Sequence, residues 1–142
     1  RLGGSLGRGA ERMSLVSRRT ALAWRIALEI KGKIGASHPG VAKAWVCFGA
    51  VGNQIVVRSS FNVARVTRTA AGRYRVVFAT ALPDNHYCWT ALVRSSTNSS
   101  TQRFAIVRAT SDQKTAQYVD ISCASSSTLF ADSSEINLTV FC

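Results

Sequence analysis

The sequence predicts an all-β protein: an antiparallel β-sandwich of about eight strands, preceded by a basic arm and a short helix. From Ala44 onward, short apolar runs alternate with a period of two, which is typical of half-buried strands. Segments rich in Gly, Ser, Asn and Asp separate these runs at roughly ten-residue intervals. The preceding residues instead show helical spacing and a strong excess of positive charge. We therefore expect two parts: an arm with an amphipathic helix over residues 1–42, and a sandwich domain over residues 43–142.

The N-terminal part predicts one helix that cannot bury its own apolar face. Residues 1–12 are rich in Gly and Arg, which is typical of an extended, flexible arm. Ser14 is expected to cap a helix over residues 14–34, which Gly35 and Pro39 then end. A single amphipathic helix must bury its apolar face against the following domain or against copies of itself. The candidate oligomerisation residues share that face, at intervals of seven, four and four: Leu15, Leu22, Ile26 and Ile30.

The charge distribution predicts an acidic partner for the arm. The formal net charge is +11, and residues 1–44 hold nine Arg and Lys against two Glu. Such a basic leader is suited to nucleic acid or to an acidic protein surface, although it is also compatible with an arm that simply extends into water. No aromatic-basic motif accompanies the charge, which places nucleic acid last among the candidate partners. The candidate arm contacts are Arg8, Arg12, Arg18, Arg19 and Arg25. No signal-peptide pattern or bilayer-length apolar run is found, so we expect no membrane insertion.

The predicted strands supply the expected core. They cover residues 44–48, 54–59, 61–68, 73–80, 86–93, 103–109, 116–123 and 135–142. In the fourth run, for example, Tyr74, Val76 and Phe78 share one face. Aromatic side chains bury large areas, so six are expected to anchor the core: Trp45, Phe48, Phe61, Tyr74, Phe78 and Tyr87. Several runs are apolar on both faces, which favours an oligomer that buries the surplus.

No constellation of residues predicts catalysis, a metal or a cofactor. The four cysteines are widely spaced with no CxxC pair, and the two histidines lie far apart. His86 and Cys88 are two residues apart and would share a face of one strand, but nothing else around them resembles an active-cysteine setting. The carboxylates are sparse and fall mostly in turns or near strand ends, and no phosphate-binding glycine loop occurs. We therefore expect a protein that is not an enzyme.

Two long polar segments are candidates for recognition. Residues 95–101 and 125–134 could cluster at one end of the sandwich and offer hydroxyls, amides and the ring of Phe130 to a host-surface glycan. The alternative is that these segments are ordinary solvated turns.

Residues 43–91 resemble a segment that recurs in bacteriophage tail-fibre and related virion proteins. The resemblance covers an opening Lys-Ala-Trp-Val-x-Phe, an Ile-Arg-x-Ser-x-Asn-Val strand in which Val57 stands where the family often has Ile, a Gly-x-Tyr-x-Val-x-Phe strand and an Ala-x-Pro-Asp-x-x-Tyr turn. The residues that carry it are Lys43, Ala44, Trp45, Val46, Phe48, Arg58, Ser59, Phe61, Asn62, Val63, Gly72, Tyr74, Val76, Phe78, Ala81, Pro83, Asp84 and Tyr87. Residues 135–142 are similar to the family's closing strand. The chain departs from the family at residues 67–73, where a basic TRTAAGR replaces an acidic or polar turn.

The resemblance implies an all-β virion protein that forms a homotrimer and has an attachment or receptor-facing role, as the distal domain of a tail fibre. Its expected partners are its own copies, other virion proteins of the upstream fibre, baseplate or capsid, and a host-surface glycan. Its expected location is the virion, assembled in the host cytoplasm. The alternative is a capsid-decoration, cement or head-fibre protein held to the capsid through the basic arm. Nucleic-acid binding is a distant third hypothesis.

Overall fold

The computed structural model describes residues 12–35, 37–95, 102–126 and 129–142. The chain forms two compact units, Arg1–Val41 and Ala42–Cys142. The first unit contains one described helix, and the second contains all the described strands. The boundary lies one residue before the position expected from the sequence.

Helix α1 spans Arg12–Lys33. Ser14 therefore lies inside the helix, and the prediction that it caps the N-terminus is wrong. The Arg and Met before it are both good helix formers, so the helix extends past the serine. At the other end, the Ile34 amide donates to the Ile30 carbonyl at 2.9 Å, after which turns around His38 and Pro39 end the helix.

The second unit is an antiparallel sandwich, which confirms the predicted fold class. Its described strands are β1 (Ala44–Val51), β2 (Gln54–Phe61), β3 (Val63–Ala70), β4 (Arg73–Phe78), β5 (Cys88–Arg94), β6 (Phe104–Ile106), β7 (Tyr118–Ser126), β8 (Leu129–Phe130) and β9 (Glu135–Phe141). Sheet A has the order β2-β1-β9-β5, and sheet B has the order β3-β4-β7-β6 with β8 paired to β7. All these pairings are antiparallel.

The core lies between the two sheets and follows from side-chain alternation. In β4 the buried residues Tyr74, Val76 and Phe78 alternate with half-buried ones. The rings of Phe48 in sheet A and Tyr74 in sheet B meet edge to face, with centroids 5.4 Å apart, which is a favoured aromatic geometry. Four of the six expected anchors are buried here: Phe48, Tyr74, Phe78 and Tyr87. The aliphatic side chains packed with them include Val46, Val119, Ile121, Ile136, Leu138 and Val140.

Trp45 and Phe61 contradict the expectation that they anchor the core. Trp45 is 37% exposed and Phe61 is 53% exposed. Trp45 lies between Ala44 and Val46, which both face the core, so alternation turns the indole outward. Phe61 is directly opposite Trp45 in the β1–β2 pairing and lies on the same outer face.

Asn62 forms the corner where the chain leaves sheet A and enters sheet B. It has φ 53°, a left-handed conformation that Asn tolerates better than most residues. Its side-chain amide donates to the carbonyls of Lys43 at 3.0 Å and Thr80 at 3.1 Å, and its oxygen accepts the Thr80 N–H at 2.7 Å. The strand predicted over residues 61–68 is present as β3 but begins two residues later, because Phe61 ends β2 and Val63 begins β3.

Several predicted strand bounds also differ from the structure. The run expected at 103–109 forms only the short β6, and residues 107–117 leave the sheet in a series of turns. The strand expected at 86–93 begins at Cys88, and the one expected at 116–123 is shifted to Tyr118–Ser126. The two-residue β8 was not predicted.

Candidate assembly surface

The outer face of sheet A carries apolar side chains, of which two pairs are direct cross-strand neighbours: Trp45 with Phe61, and Cys88 with Phe141. Trp45 on β1 is opposite both Phe61 on β2 and Thr139 on β9. Leu92 on β5 lies outward, opposite Asn137 on β9. We call this set the sheet A face; its members are Trp45, Cys47, Phe61, Cys88, Leu92 and Phe141.

The sheet A face exposes large apolar side chains to solvent. Leu92 is 78% exposed, and the neighbouring edge strand β2 also exposes Val56 and Val57 by more than two fifths. Thr139 and Asn137 of β9 lie between the apolar side chains of β1 and those of β5, and apolar groups grouped in this way on one face are candidates for an interaction site. Full burial of one such side chain is worth roughly 1.5–3 kcal/mol, so a few of them can hold a subunit contact.

Helix α1 presents a second apolar surface within its own unit. The four predicted oligomerisation residues are all exposed by about half or more: Leu15, Leu22, Ile26 and Ile30. Sequence reasoning missed Val16, Trp24 and Leu28, which are 61–70% exposed on other sides of the helix. The apolar surface is therefore broader than one stripe, although Arg19 interrupts the predicted face, because it lies four residues after Leu15 and three before Leu22.

The predicted arm contacts are only partly within the described chain. Arg18, Arg19 and Arg25 are described as exposed side chains on α1. Arg8 lies outside the described residues, as does the side chain of Arg12. The exposed Glu29 forms a 3.6 Å pair with Lys33 one turn later, so α1 also carries some compensating negative charge.

Asp132 is the centre of a hydrogen-bond network that joins the loop before β9 to the β3–β4 hairpin. Its carboxylate accepts the Tyr74 hydroxyl at 2.7 Å, the Gly72 N–H at 2.8 Å and a two-nitrogen contact from Arg68, the shorter bond being 2.7 Å. Burial by itself would raise the pKa of Asp132, but the hydrogen bonds from Arg68, Tyr74 and Gly72 outweigh it and lower the pKa to about 2. The same environment raises the pKa of Tyr74, chiefly through burial.

The described acidic side chains of β7 and its preceding loop are also paired with arginines. Arg75 contacts Asp120 through Nε at 2.7 Å, and Arg108 contacts Asp112 through Nη2 at 2.6 Å. The buried Ser122 hydroxyl donates to Asp112 at 2.7 Å. Although burial opposes it, hydrogen bonding from Arg108 and Ser122 lowers the pKa of Asp112. The Ser122–Asp112 hydrogen bond, together with the Gln113 N–H donated to Asp120 at 3.1 Å, holds the 107–117 segment against β7.

His86 and Cys88 do not form the arrangement considered from the sequence. The strand begins at Cys88, and His86 lies in the preceding turn, where its backbone N–H donates to the Asp84 carboxylate at 2.7 Å. Cys123 is a buried thiol whose pKa burial raises to about 12. Within the described residues, no three His, Cys, Asp or Glu side chains come together in a way that could hold a metal ion.

The expected glycan-binding loops are described only in part. Residues 96–101 and 127–128 lie outside the described chain. Phe130 is half-buried, and the Arg73 guanidinium lies over its ring at 4.5 Å from the centroid. Stacking of a sugar on that covered face of the ring is therefore disfavoured.

Searches against protein-family models, curated proteins and solved structures find no match to this chain. In the described part of the chain, no helix has the length and apolar character needed to cross a membrane.

Proposed function

We propose that this chain is a non-enzymatic structural protein of a bacteriophage particle, acting as the distal domain of a homotrimeric tail fibre with an attachment role. The observation that carries the proposal is the sheet A face, which exposes Trp45, Phe61 and Leu92 together on a rigid sandwich. The residues that resemble the phage family form β1 to β4 and the following turn of this same sandwich.

The roles of the family-like residues favour an architectural function. Asn62 fixes the corner between the sheets, and Tyr74 and Gly72 anchor Asp132. Gly72 has φ 64°, and a Cβ there would lie 2.5 Å from the Cys123 carbonyl oxygen, so the close approach requires glycine. Each of these residues has a structural role in the sandwich, which supports the assignment of a scaffold function.

The carboxylates give no support to acid–base catalysis. Asp112, Asp120, Asp132 and Glu135 each form an ion pair with an arginine. A general acid near neutral pH needs a raised pKa, whereas Asp112, Asp132 and Glu135 all have lowered pKa values. This pattern favours the non-enzymatic assignment.

A closed ring of three copies would bury the sheet A face by a heterologous contact. Trp and Phe side chains at its centre would serve as anchors, because large rings gain the most from desolvation. The sheet B side would then remain outward for contacts with the host.

Native mass spectrometry of the full chain tests the proposal. We expect a species of three times the 15.3 kDa chain mass. Leu92→Glu should shift it toward monomer, because a carboxylate would be buried in the contact. The control is Val107→Glu, which places the same charge at another exposed apolar residue (54%), in the turn after β6, and should leave the trimer intact. A wild-type monomer at micromolar concentration would contradict the proposal.

A second candidate is a capsid-decoration, cement or head-fibre protein, and the basic leader is the observation that favours it. Arg18, Arg19 and Arg25 are exposed on α1, where they could contact an acidic capsid surface. Replacing these three residues together by Gln should release the protein from purified capsids under this hypothesis. Under the fibre hypothesis the same variant should leave particle attachment intact or affect only assembly with upstream fibre parts.

A further inference from the structure

The outer face of sheet B carries a band of arginines that is not fully balanced by acid. Arg73 and Arg75 of β4 point outward, because the residues between and beside them face the core. Arg75 is opposite Thr67 of β3 on one side and Asp120 of β7 on the other. Arg65 of β3 is opposite Val77 and lies on the same face.

Two of these arginines are not paired with a described carboxylate, and one of them, Arg65, is exposed. Arg75 is paired with Asp120, whereas Arg65 and Arg73 have no acidic partner among the described residues. The Nε of Arg73 is buried and, within the described chain, has no hydrogen-bond partner. An unpaired buried donor on a charged group is costly, and an oxyanion bound to the accessible part of this half-buried side chain would stabilise its charge.

Arg73 is also held in place before any ligand arrives. Its guanidinium lies 4.5 Å from the Phe130 ring centroid, and that of Arg108 lies 5.9 Å from the same centroid. These cation–π contacts restrict the rotamers of a side chain that would otherwise be mobile. Binding to a preorganised guanidinium loses less conformational entropy than binding to a flexible one.

We propose that this face, with Arg65 and Arg73 as its anion-binding residues, takes the carboxylate groups of an acidic saccharide chain. The inference rests on the proposed attachment function and deepens it by naming a ligand class and a site. Arginine forks match carboxylates bidentately. The exposed hydroxyl of Thr67, opposite Arg75, offers a partner to sugar hydroxyls.

The geometry favours a saccharide over a nucleic acid at this site. Single-stranded nucleic acid is bound by stacking its bases on open aromatic rings. The two rings nearest these arginines are covered: Tyr118 by the guanidinium of Arg75 at 4.0 Å and Phe130 by that of Arg73. A positively charged site without an open aromatic ring is better suited to an acidic sugar than to nucleic-acid bases.

Nuclear magnetic resonance of the full chain locates the site. An oligogalacturonate is titrated at about 0.15 M salt, where long-range attraction to the basic leader is screened. We expect amide shift changes in β3, β4 and β8, and none with neutral dextran. Changes confined to residues 12–35, no changes at all, or equal binding of a single-stranded oligonucleotide at β3 and β4 would each overturn the proposal.

Three charge-removing variants sharpen the test. Arg73→Gln and Arg65→Gln should each weaken oligogalacturonate binding by about tenfold, the loss expected for one charge-assisted contact. Arg94→Gln removes the same charge from sheet A and should change the affinity by less than about twofold. Arg65 is exposed, so its variant keeps the test valid if Arg73→Gln unfolds.

An equal loss in all three variants would show a nonspecific charge effect and overturn the proposal. The trimer mass is measured on the same samples, so that a trimer without binding rejects the anion site alone, whereas binding by a monomer rejects the trimeric fibre alone.

Discussion

Removal of the Asp132 carboxylate should cost far more stability than removal of the Glu135 carboxylate, which is paired with a mostly exposed arginine. In Asp132→Ala, the buried Tyr74 hydroxyl and the Gly72 N–H both lose their acceptor, and Arg68 loses its counter-ion. Removing one partner of a buried pair costs roughly 3–5 kcal/mol. The Asp132 side chain is 25% exposed, so we expect the lower end, about 3 kcal/mol of unfolding free energy. Asp132→Asn keeps one acceptor oxygen and should lose less, about 2 kcal/mol.

The measurement is urea unfolding followed by tryptophan fluorescence, at fixed protein concentration because subunit association adds to apparent stability. Glu135→Gln is the matched control. It also removes a carboxylate paired with an arginine, but its Arg94 partner is 73% exposed, so its effect should be far smaller. Similar losses in the Asp132→Ala and Glu135→Gln variants would refute the view that Asp132 holds the loop to the hairpin.

The pKa of Asp132 adds a pH dependence with a defined sign. The folded pKa of about 2 lies below the ordinary value, so the stabilisation is complete above about pH 4 and is lost as the pH falls through about 2. The contribution amounts to roughly 2 kcal/mol. Wild type should therefore lose that much between about pH 5 and pH 2, and Asp132→Asn should not. If wild type and Asp132→Asn lost the same unfolding free energy on acidification, the attribution of this pH dependence to Asp132 would be contradicted.

Two further predictions concern packing and thiol access. Gly49→Ala should lower the free energy of unfolding by about 2 kcal/mol, because its Cβ would lie 2.0 Å from the Ser134 carbonyl oxygen. Gly32→Ala, whose Cβ meets nothing within 4 Å on α1, should instead be neutral or stabilising by up to about 1 kcal/mol, and equal effects in urea unfolding would contradict this account. In thiol labelling near pH 8, the exposed Cys142 should react quickly while Cys123 reacts only in denaturant, since it is buried with a pKa of about 12. Labelling of native Cys123 at the rate of Cys142 would contradict its burial.

The strand alternation was enough to predict the fold class and most of the core. Tyr74, Val76 and Phe78 follow a strict period of two, and so do Ile136, Leu138 and Val140. Periodicity separates the two faces of a strand without saying which one faces the core. The size of Trp45 predicts that it faces the core, whereas its small neighbour Ala44 is the buried residue.

The remaining features depend on contacts between residues that are distant in the sequence. Nothing local to Asp132 indicates that Arg68 and Tyr74, about sixty residues earlier, will bind it. The sheet A face likewise needs the pairing of β2, β1, β9 and β5, which sequence alone leaves open. One sequence signal does point to an exposed Leu92, because the YCWTALV run is apolar on both faces. The sequence signal for a corner at Asn62 is weaker: Asn is a residue type that accepts a left-handed backbone conformation.

The pairing of β9 between β1 and β5 has a consequence for how this domain is made. The first and last strands of the domain, β1 and β9, lie side by side at the centre of sheet A. β1 and β5 therefore lack the neighbour that they share until Glu135–Phe141 has been synthesised. Until then, the nascent polypeptide displays unpaired strand edges beside apolar side chains, a state prone to aggregation. Closure over such a long sequence separation is also slow. Premature termination before Glu135 would therefore yield a product without a sandwich, and a molecular chaperone that shields β1 and β2 during translation would raise the yield of folded subunits.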